Sequence, residues 1–416
     1  MILLKGNIIN AVSLKKIEAI ENGYMLLDDN GTIINISKDK PKDFSGTFLD
    51  YGDKLIMQSF ADMHLHAPQY PNVGMGMDLP LLEWLKTYTF KTEAYFSDLN
   101  YARKVYKKLA KDLIDYGTTH VVMFSSMHTD STLILMEELE KAGVTGFVGK
   151  VNMDRNGGNN LQEETNESEL ETLRWLEESK KFKFIKPIIT PRFTPSCTNE
   201  LMKWLGKTAN EKNLYVQSHL SESKSEIEWV KSLHPDCQYY WQTYDKYGLW
   251  KDHTVMAHCV YSDENERNAI KKANVVVAHC ADSNINLCSG ICPVREMLDE
   301  GVWVTLGSDI AAGSSMAMYN MIVETIKASK VRNIQTNKKF LSIQEAYYLG
   351  TTSGHKYFGN HEGFAIGDKL HAIVVDDSSF VMAPEPLNLN ERLERAIYNM
   401  NKENIVAVWS EGRKVK

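Results

Sequence analysis

The sequence predicts an α/β fold, a (β/α)8 barrel of the TIM type with a small β-sandwich domain formed by the two chain ends. Between about residues 55 and 350, eight short apolar runs alternate with longer segments of helical period. These runs are almost continuously apolar, as expected for parallel strands that helices cover on both faces. The two chain ends instead carry hairpin signals. An open doubly wound sheet is the alternative reading of the same alternation.

The predicted barrel strands and helices follow one another along the chain. The strands are, in order, "LIMQSFADMH", "THVVMFSS", "TGFVGKVNMD", "FIKPIITPRF", "LYVQSHLSE", "TVMAHC", "VVVAHC" and "WVTLGSD". Helical segments between them include "LNYARKVYKKLAKDLIDYG", "SELETLRWLEESKKF" and "NELMKWLGKTANEK". Eight such units are the number that closes a (β/α)8 barrel.

The chain ends are predicted to meet in one small domain. The segment "YMLLDDNGTIINIS" (24–37) is two apolar runs around Asn30-Gly31, a strong hairpin signal. Near the other end, "DKLHAIVVDD" and "NIVAVWSEGRKV" predict further strands, with a turn at Glu411-Gly412. Because neither end has enough strands for an independent sheet, we expect 1–57 and 360–416 to form one composite β domain around a barrel of 58–359.

Composition narrows the class of protein. The 416 residues are 43% hydrophobic and 24% charged, which is typical of a globular chain with a packed core. A net charge of -7 argues against a nucleic-acid-binding protein. Six scattered cysteines do not form a disulfide framework and favour a reducing compartment. The first residues lack a signal-peptide apolar stretch and no run of about 18 apolar residues occurs, so we expect a cytoplasmic protein with no membrane contact.

Polar side chains follow six of the predicted strands, where a (β/α)8 barrel places its chemistry. Any one of these histidines is more often a structural residue than a ligand, but a His-x-His on the first strand makes a metal centre the better interpretation of the set. Nitrogen ligands with one carboxylate suit Zn²⁺ or Fe²⁺ better than Mg²⁺ or Ca²⁺. The residues are, strand by strand, His64 and His66, Arg192 and Phe193, His219 and Glu222, His258, His279, and Asp309.

Longer motifs around these residues resemble the amidohydrolase superfamily, and within it the members that deaminate guanine. The motifs run from about residue 60 to 315: "DMHLHAPQY", "DLPLLEWLKTYTF", "SSMHTDST", "VGKVNMD", "KPIITPRFTPSC", "QSHLSES", "TVMAHCVYS", "AHCADSNINL" and "LGSDIAAG". Two stretches depart from the superfamily pattern. The usual Pro-Gly before Asp62 of the first strand is replaced in 58–61 (Gln-Ser-Phe-Ala), and "GSDIAAGSS" alters a common Gly-rich ending.

The resemblance implies one divalent metal ion per subunit, Zn²⁺ first and Fe²⁺ as the alternative. Its implied ligands are His64, His66, His219 and Asp309. Related two-metal hydrolases bridge their ions with a modified lysine at the end of the fourth strand, whereas Lys186 lies several residues too early for that role. His258 is then left for a role near water or substrate, and the same comparison makes His279 structural.

The implied reaction is hydrolysis of guanine to xanthine and ammonia by a metal-activated water, a step of purine catabolism. Glu222 is the predicted proton shuttle, assisted by His258 and Asp309. The alternative for Glu222 is a solvated carboxylate at the start of a helix. The zinc-deaminase signature of cytidine deaminases, H-x-E followed by P-C-x-x-C, is absent from the sequence.

Substrate binding is assigned to groups that suit a flat polar ring. Arg192 offers donors to a carbonyl such as O6, Gln69 offers both a donor and an acceptor, and Trp84 and Phe193 offer aromatic faces. Each has a structural alternative: a salt-bridge partner for Arg192, a loop hydrogen bond for Gln69 and helix packing for Trp84. The remaining predicted substrate contacts are His219, Glu222, His258 and Asp309.

Two other functions fit parts of the pattern. A deaminase of the same superfamily acting on a pterin, cytosine, isoguanine or an adenosine derivative would share the metal ligands. A scaffold protein that had lost its chemistry, like the dihydropyrimidinase-related proteins, should lack some of the ligands, and none is missing here. The resemblance also suggests a homodimer, with guanine as the small-molecule partner.

Overall fold

The computed structural model describes residues 1–158 and 161–416 as a mixed α/β fold. Its strands are β1 Ile2–Ser13, β2 Lys16–Leu27, β3 Ile33–Ser37, β4 Thr47–Gln58, β5 Phe60–His66, β6 Thr118–Phe124, β7 Thr145–Gly149, β8 Val151–Asn152, β9 Ile185–Pro187, β10 Thr190–Pro191, β11 Gln217–Leu220, β12 Val255–His258, β13 Val276–His279, β14 Trp303–Leu306, β15 Ala372–Val375, β16 Ile405–Ser410 and β17 Arg413–Lys414.

Helices separate most of these strands and confirm the three helical segments predicted from the sequence. The α-helices are α1 Leu81–Trp84, α2 Phe90–Ala94, α3 Leu99–Asp115, α4 Thr129–Ala142, α5 Thr165–Glu178, α6 Asn199–Glu211, α7 Lys224–Leu233, α8 Gln242–Asp245, α9 Glu264–Lys272, α10 Ala281–Asn286, α11 Val294–Glu300, α12 Met318–Thr336, α13 Ile343–Gly350, α14 Thr352–Tyr357 and α15 Leu389–Asn399. None of the described helices is long and apolar enough to cross a membrane.

Parallel strands form the centre of the molecule. One four-stranded sheet has the order β5-β6-β7-β9 and the other the order β11-β12-β13-β14, while β8 and β10 pair with each other. Each of the eight segments predicted to be barrel strands therefore contains at least one observed strand. The first prediction needs a correction, because "LIMQSFADMH" crosses two strands: its first four residues end β4, and β5 begins at Phe60.

Backbone hydrogen bonds link the two parallel sheets at both edges. On one side Ile189 pairs with Val216 in a parallel bridge. On the other side the His66 N–H donates to the Ile310 carbonyl at 2.9 Å, and the Asp309 N–H donates to the His64 carbonyl at 2.8 Å. These bonds place the carboxyl ends of β5 and β14 side by side. The strands are nevertheless assigned to separate sheets, so the closed barrel stays a prediction.

The two chain ends share one mixed seven-stranded sheet of order β17-β16-β15-β4-β1-β2-β3. The predicted hairpin around Gly31 is confirmed by antiparallel pairing of β2 with β3, and the predicted turn at Glu411-Gly412 by pairing of β16 with β17. Gly31 and Gly412 touch: a Cβ on Gly31 would lie 2.2 Å from the Gly412 carbonyl oxygen, so neither position has room for a side chain. The structure shows one sheet here, and the predicted sandwich stays a prediction.

Buried apolar residues fill the space between the parallel strands and the helices. The amphipathic helix α3 illustrates the sequence rule: Asp98 caps its first turn by accepting from two backbone N–H groups, and one face buries residues such as Tyr106 and Leu109. All six cysteines are free thiols, as the sequence predicts.

Candidate active site

The four predicted metal ligands lie together at the carboxyl ends of β5, β11 and β14. Nε2 of His64 is 3.2 Å from Oδ1 of Asp309, and Nε2 of His66 is 3.6 Å from the same oxygen. The Nε2 atoms of His66 and His219 are 3.2 Å apart. Tetrahedral Zn²⁺, with bonds of about 2.0–2.2 Å, holds its ligand atoms about 3.3 Å apart. The spacing of the side chains therefore fits one such ion.

Hydrogen bonds prepare these side chains to bind a cation. His219 Nδ1 lies 2.6 Å from the Arg192 carbonyl, which leaves Nε2 free to ligate. His64 Nε2 is buried and has no hydrogen-bond partner among the described residues. An unpaired buried nitrogen costs about 1–3 kcal/mol, and a cation removes that cost. The donor set thus fits the metal that the sequence predicts.

Burial keeps the ligating imidazoles neutral. The pKa values of His66 and His219 lie well below the ordinary value, first because of burial and then because other imidazoles are close. The pKa of His64 is also lowered, with burial as the largest cause and Asp309 opposing it. Since metals bind the neutral form of imidazole, the ligands need no deprotonation near neutral pH.

The strand ends around the site have strained backbones. Ser221, His258, Cys259 and Asp309 all have positive φ values, between 47° and 72°. Non-glycine residues avoid this region, and their clustering at one place is typical of functional sites. At these positions the chain turns out of β11, β12 and β14, and two of the four side chains, His258 and Asp309, line the cavity.

Glu222 and His258 form a second pair beside the ligands. Their side chains lie 3.6 Å apart (Oε2 to Nε2), and His258 Nε2 is 3.9 Å from Oδ2 of Asp309. Glu222 accepts a hydrogen bond from Ser289 Oγ at 3.2 Å. Its side chain is 95% buried, which rules out the alternative of a solvated helix-start carboxylate. Burial raises the pKa of Glu222 to about 7, and the charge–charge interaction with His258 opposes this rise.

A hydrogen bond to Asn284 orients the His258 ring. Its Nδ1 lies 2.9 Å from Oδ1 of Asn284, an acceptor, so Nδ1 carries the proton and Nε2 faces the cavity. Burial lowers the pKa of His258, but the nearby carboxylates of Glu222 and Asp309 outweigh it and the net shift is upward.

A cavity of about 40 Å³ opens next to these groups. Its wall contains every predicted catalytic and substrate-binding residue and three of the four ligands; His64 lies behind them. The lining residues are His66, Gln69, Leu81, Trp84, Leu85, Arg192, Phe193, His219, Glu222, Glu226, His258, Leu287, Asp309 and Ala312.

Glu93 is a site residue that the sequence reasoning missed. The Arg192 guanidinium makes a two-pronged ion pair with the Glu93 carboxylate, and the Gln69 Nε2 donates to Glu93 Oε1 at 2.9 Å. Both predicted substrate-binding side chains are thus held by one buried carboxylate. The salt-bridge alternative for Arg192 is correct as a contact, and it coexists with a place in the cavity wall. Glu93 stands inside an ordinary helical pattern, "FKTEAYF", which carries no signal of a site.

Asp62 was also missed, although it lies only two residues before the His-x-His motif. It is fully buried and accepts from the Ser308 N–H at 2.9 Å and from Ser308 Oγ. This contact ties the ends of β5 and β14 together one residue away from Asp309.

The aromatic side chains partly resolve the predicted alternatives. Trp84 is buried in the cavity wall, and its Nε1 donates to the Met75 carbonyl at 2.8 Å, so it both packs and lines the site. Phe193 also lines the cavity and meets Trp229 edge to face.

Two further predictions concern residues outside the site. His279 is not in the cavity wall, and lines a separate pocket with Cys292 and Arg295. The Lys186 ammonium donates to the Phe182 carbonyl, away from the metal ligands, as expected for a single-ion centre.

Comparisons with known proteins agree with this arrangement. The Amidohydrolase family profile matches residues 55–415. The guanine deaminase of Dictyostelium discoideum is 34% identical over 100% of this chain and 98% of its own length. The guanine deaminase of Mus musculus is 38% identical over 87% of this chain and 83% of its own.

A solved structure is similar over the whole chain. The guanine deaminase from C. acetobutylicum, crystallised with guanine bound in its active site, is 42% identical with a TM-score of 0.96, covering 100% of this chain and 99% of that one. The E. coli enzyme is 29% identical with a TM-score of 0.89, covering 100% and 98%. These four relatives are guanine deaminases, and the chain belongs to the amidohydrolase family.

Proposed function

We propose that this protein hydrolyses guanine to xanthine and ammonia. The observation that carries the proposal is a cavity that lies against the three-histidine, one-aspartate ligand set and is lined by the buried Glu222 and by the Arg192 guanidinium and Gln69 amide. Full-length similarity to guanine deaminases, one of them with guanine bound, supports the substrate. In the reaction water adds at C2 of the ring and the C2 amino group leaves as ammonia, so that guanine plus water gives xanthine plus ammonia.

His64, His66, His219 and Asp309 would hold one divalent ion, which we propose to be Zn²⁺ because the donor set is three nitrogens and one oxygen. When bound, such an ion supplies Lewis-acid activation of water, lowering the pKa of that water to about 7. Asp309 Oδ2, 3.9 Å from His258 Nε2, belongs to the cavity wall and would help orient the attacking water.

Glu222 moves the proton. Its pKa of about 7, raised by burial, allows the same carboxyl group to accept and release a proton near neutral pH. It accepts the proton of the attacking water, donates it to N3 of the ring, and assists protonation of the leaving amine. His258 Nε2, 3.6 Å from this carboxylate, stabilises its charged form.

Substrate orientation falls to the groups on the opposite wall. Arg192 donates to O6 of the base, and Gln69 pairs with a ring edge. Glu93 holds both side chains in place, so their hydrogen-bonding groups are fixed before the base arrives. Trp84 and Phe193 supply the apolar walls for a flat ring.

The architecture belongs to the same proposal. We propose a closed (β/α)8 barrel over 58–359 and a composite β domain of 1–57 and 360–416. The bridge between Ile189 and Val216 and the bonds joining β5 to the segment after β14 support closure, and the shared seven-stranded sheet supports the composite domain. The homodimer and the cytoplasmic location stay predictions.

A panel of bases tests the function directly. Zinc-loaded protein is assayed for ammonia release from guanine, isoguanine, cytosine, a pterin and an adenosine derivative at equal concentration. A site built to hydrogen-bond O6 and the ring edge should favour guanine by at least about 100-fold in kcat/KM. Preference for another base, or no ammonia from guanine, would overturn the assignment.

A further inference from the structure

A second cluster of buried histidines lies at the junction between the parallel strands and the seven-stranded sheet. His120 lies on β6, His355 on α14, and His371 directly before β15, while Glu411 occupies the turn between β16 and β17. The ring centroids of His120 and His371 are 4.1 Å apart, and those of His120 and His355 are 4.7 Å apart. Four separate elements thus bring three imidazoles and one carboxylate together, outside the cavity described above.

We propose that His120, His371 and Glu411 form a second metal site that binds Zn²⁺ or a similar divalent transition metal. One ligand atom from each of the three residues lies within 4.8 Å of the other two. His371 Nε2 is 3.4 Å from Glu411 Oε1, close to the separation of about 3.3 Å between two ligand atoms of tetrahedral zinc. Two imidazoles and a carboxylate are a known zinc ligand set, with the fourth position left for another group.

Contacts at His371 aim its Nε2 at Glu411. Nδ1 lies 3.2 Å from Thr119 Oγ1, and Nε2 is 3.4 Å from both the Glu411 backbone nitrogen and Glu411 Oε1. At 3.4 Å the N–H contact is long for a hydrogen bond, so a bound cation would replace only a weak interaction at this nitrogen.

His355 supports the same site from the helix side. Its side chain is buried, and Nε2 has no hydrogen-bond partner within the described ranges. This ring packs against both His120 and His371, with centroid distances of 4.7 Å and 5.7 Å, and so helps hold the proposed ligands in place. The pKa of His355 falls to about 3 and that of His120 falls well below its ordinary value, first because of burial and then because of neighbouring imidazoles. Both rings are therefore neutral, the form that metals bind.

An entry path leads to the cluster from solvent. A pocket of about 310 Å³ is lined by His120 and Glu411, together with residues including Tyr215 and Lys356. Glu411 is partly exposed, so the carboxylate can meet a hydrated ion first and deliver it to the buried imidazoles. A preformed ligand set, suitable spacing and an entry path are the properties required of a metal site.

The role that follows is structural. The ligands come from residue 120 of the parallel strands and from residues 371 and 411 of the outer sheet, so one ion would fasten the two layers together. Since the ion binds the folded state only, free metal should raise the melting temperature.

Metal titration of the wild type, of a variant at the proposed site and of a control variant tests the proposal. Untagged protein stripped of metal is titrated with Zn²⁺ and Co²⁺, followed by metal analysis and by cobalt absorption spectra. Wild type should bind two equivalents. Glu411→Gln should weaken the second equivalent at least 10-fold and leave the first unchanged, with activity per bound active-site ion retained. Glu362→Gln is the matched control, because Glu362 pairs with Lys356 on the same face and does not touch the cluster.

A second measurement keeps the proposal testable if one of the variants fails to fold. Crystals soaked in Zn²⁺ should give an anomalous peak about 2.0–2.1 Å from His371 Nε2. His371→Asn, which keeps a polar side chain of moderate size, should abolish that peak. A single equivalent in wild type, or a second equivalent that neither Glu411→Gln nor His371→Asn weakens, would overturn the proposal.

Discussion

At the scale of single residues, the sequence was most informative where residue chemistry is rare. Three histidines and an aspartate at strand ends suit few structural roles, and the structure brings all four together. Glu93 could not be found in this way, because a glutamate within a helical pattern is common and its partner Arg192 is 99 residues away. Only the fold shows that this carboxylate is buried.

Glu222→Gln tests the proton shuttle. Glutamine keeps the shape and the contact with Ser289 but cannot carry a proton, so turnover should fall by about 10² to 10⁴ while one equivalent of active-site metal is retained. Steady-state kinetics with guanine and metal analysis of the same sample check this. Glu228→Gln on α7 is the control and should leave turnover unchanged. More than about a tenth of wild-type turnover would remove the shuttle role.

Glu93→Gln tests positioning by the missed residue. The substitution removes the charge that pairs with Arg192 and turns one of the two carboxylate acceptors into an NH2 donor, so the shared contact that orients Arg192 and Gln69 is weakened. We expect KM for guanine to rise at least 10-fold, with a smaller change in kcat, because the reacting groups stay in place. Initial-rate kinetics separate the two constants. Equal losses in kcat and kcat/KM with unchanged KM would contradict a positioning role.

At the scale of elements, apolar periodicity predicted the strands and long helices but not every boundary. The run "LIMQSFADMH" reads as one strand because both of its halves are buried, yet it belongs to two sheets. The positive φ values at Ser221, His258 and Asp309 could not be predicted either, because this backbone conformation is most typical of glycine and none of the three residues is glycine. The surrounding fold, not the residue type, imposes those turns.

Gly206→Ala tests packing of one helix against its neighbour. In a helix interior, alanine is usually more stabilising than glycine by about 1 kcal/mol. Here a Cβ on residue 206 would lie 1.7 Å from the Tyr247 carbonyl oxygen, and Asn210 fastens α6 to that loop through the carbonyls of Gly206 and Gly248. We therefore expect Gly206→Ala to destabilise the protein here, lowering the free energy of unfolding by about 1–3 kcal/mol.

Urea unfolding of metal-loaded protein measures this change. Lys207→Ala, at an exposed position of the same helix, is the control and should stay within about 0.5 kcal/mol of wild type. A Gly206→Ala variant as stable as wild type would show that the loop yields to the methyl group at little cost.

At the scale of the whole molecule, the sequence predicted that distant segments meet without showing how. Hairpin signals at both ends predicted strands, and the shared sheet follows because neither end can bury its apolar face alone. The cluster around His371 was not predicted. Its members are spread from residue 120 to residue 411 and share no motif, and only the docking of the sheet onto β6 brings them together.

Removal of metal from the entire protein should affect activity and stability separately. A chelator that strips the His64, His66, His219 and Asp309 set should abolish ammonia release, because the remaining residues move protons but cannot activate water alone. It should also lower the melting temperature, since it leaves buried nitrogens such as His64 Nε2 unpaired. Zn²⁺ added back in steps distinguishes the two ligand sets. Activity should return with the first equivalent, while in wild type the melting temperature should continue to rise through the second and in Glu411→Gln should level off after the first. Full activity in protein shown by metal analysis to be stripped would contradict the assignment of the three histidines and Asp309 as the catalytic centre.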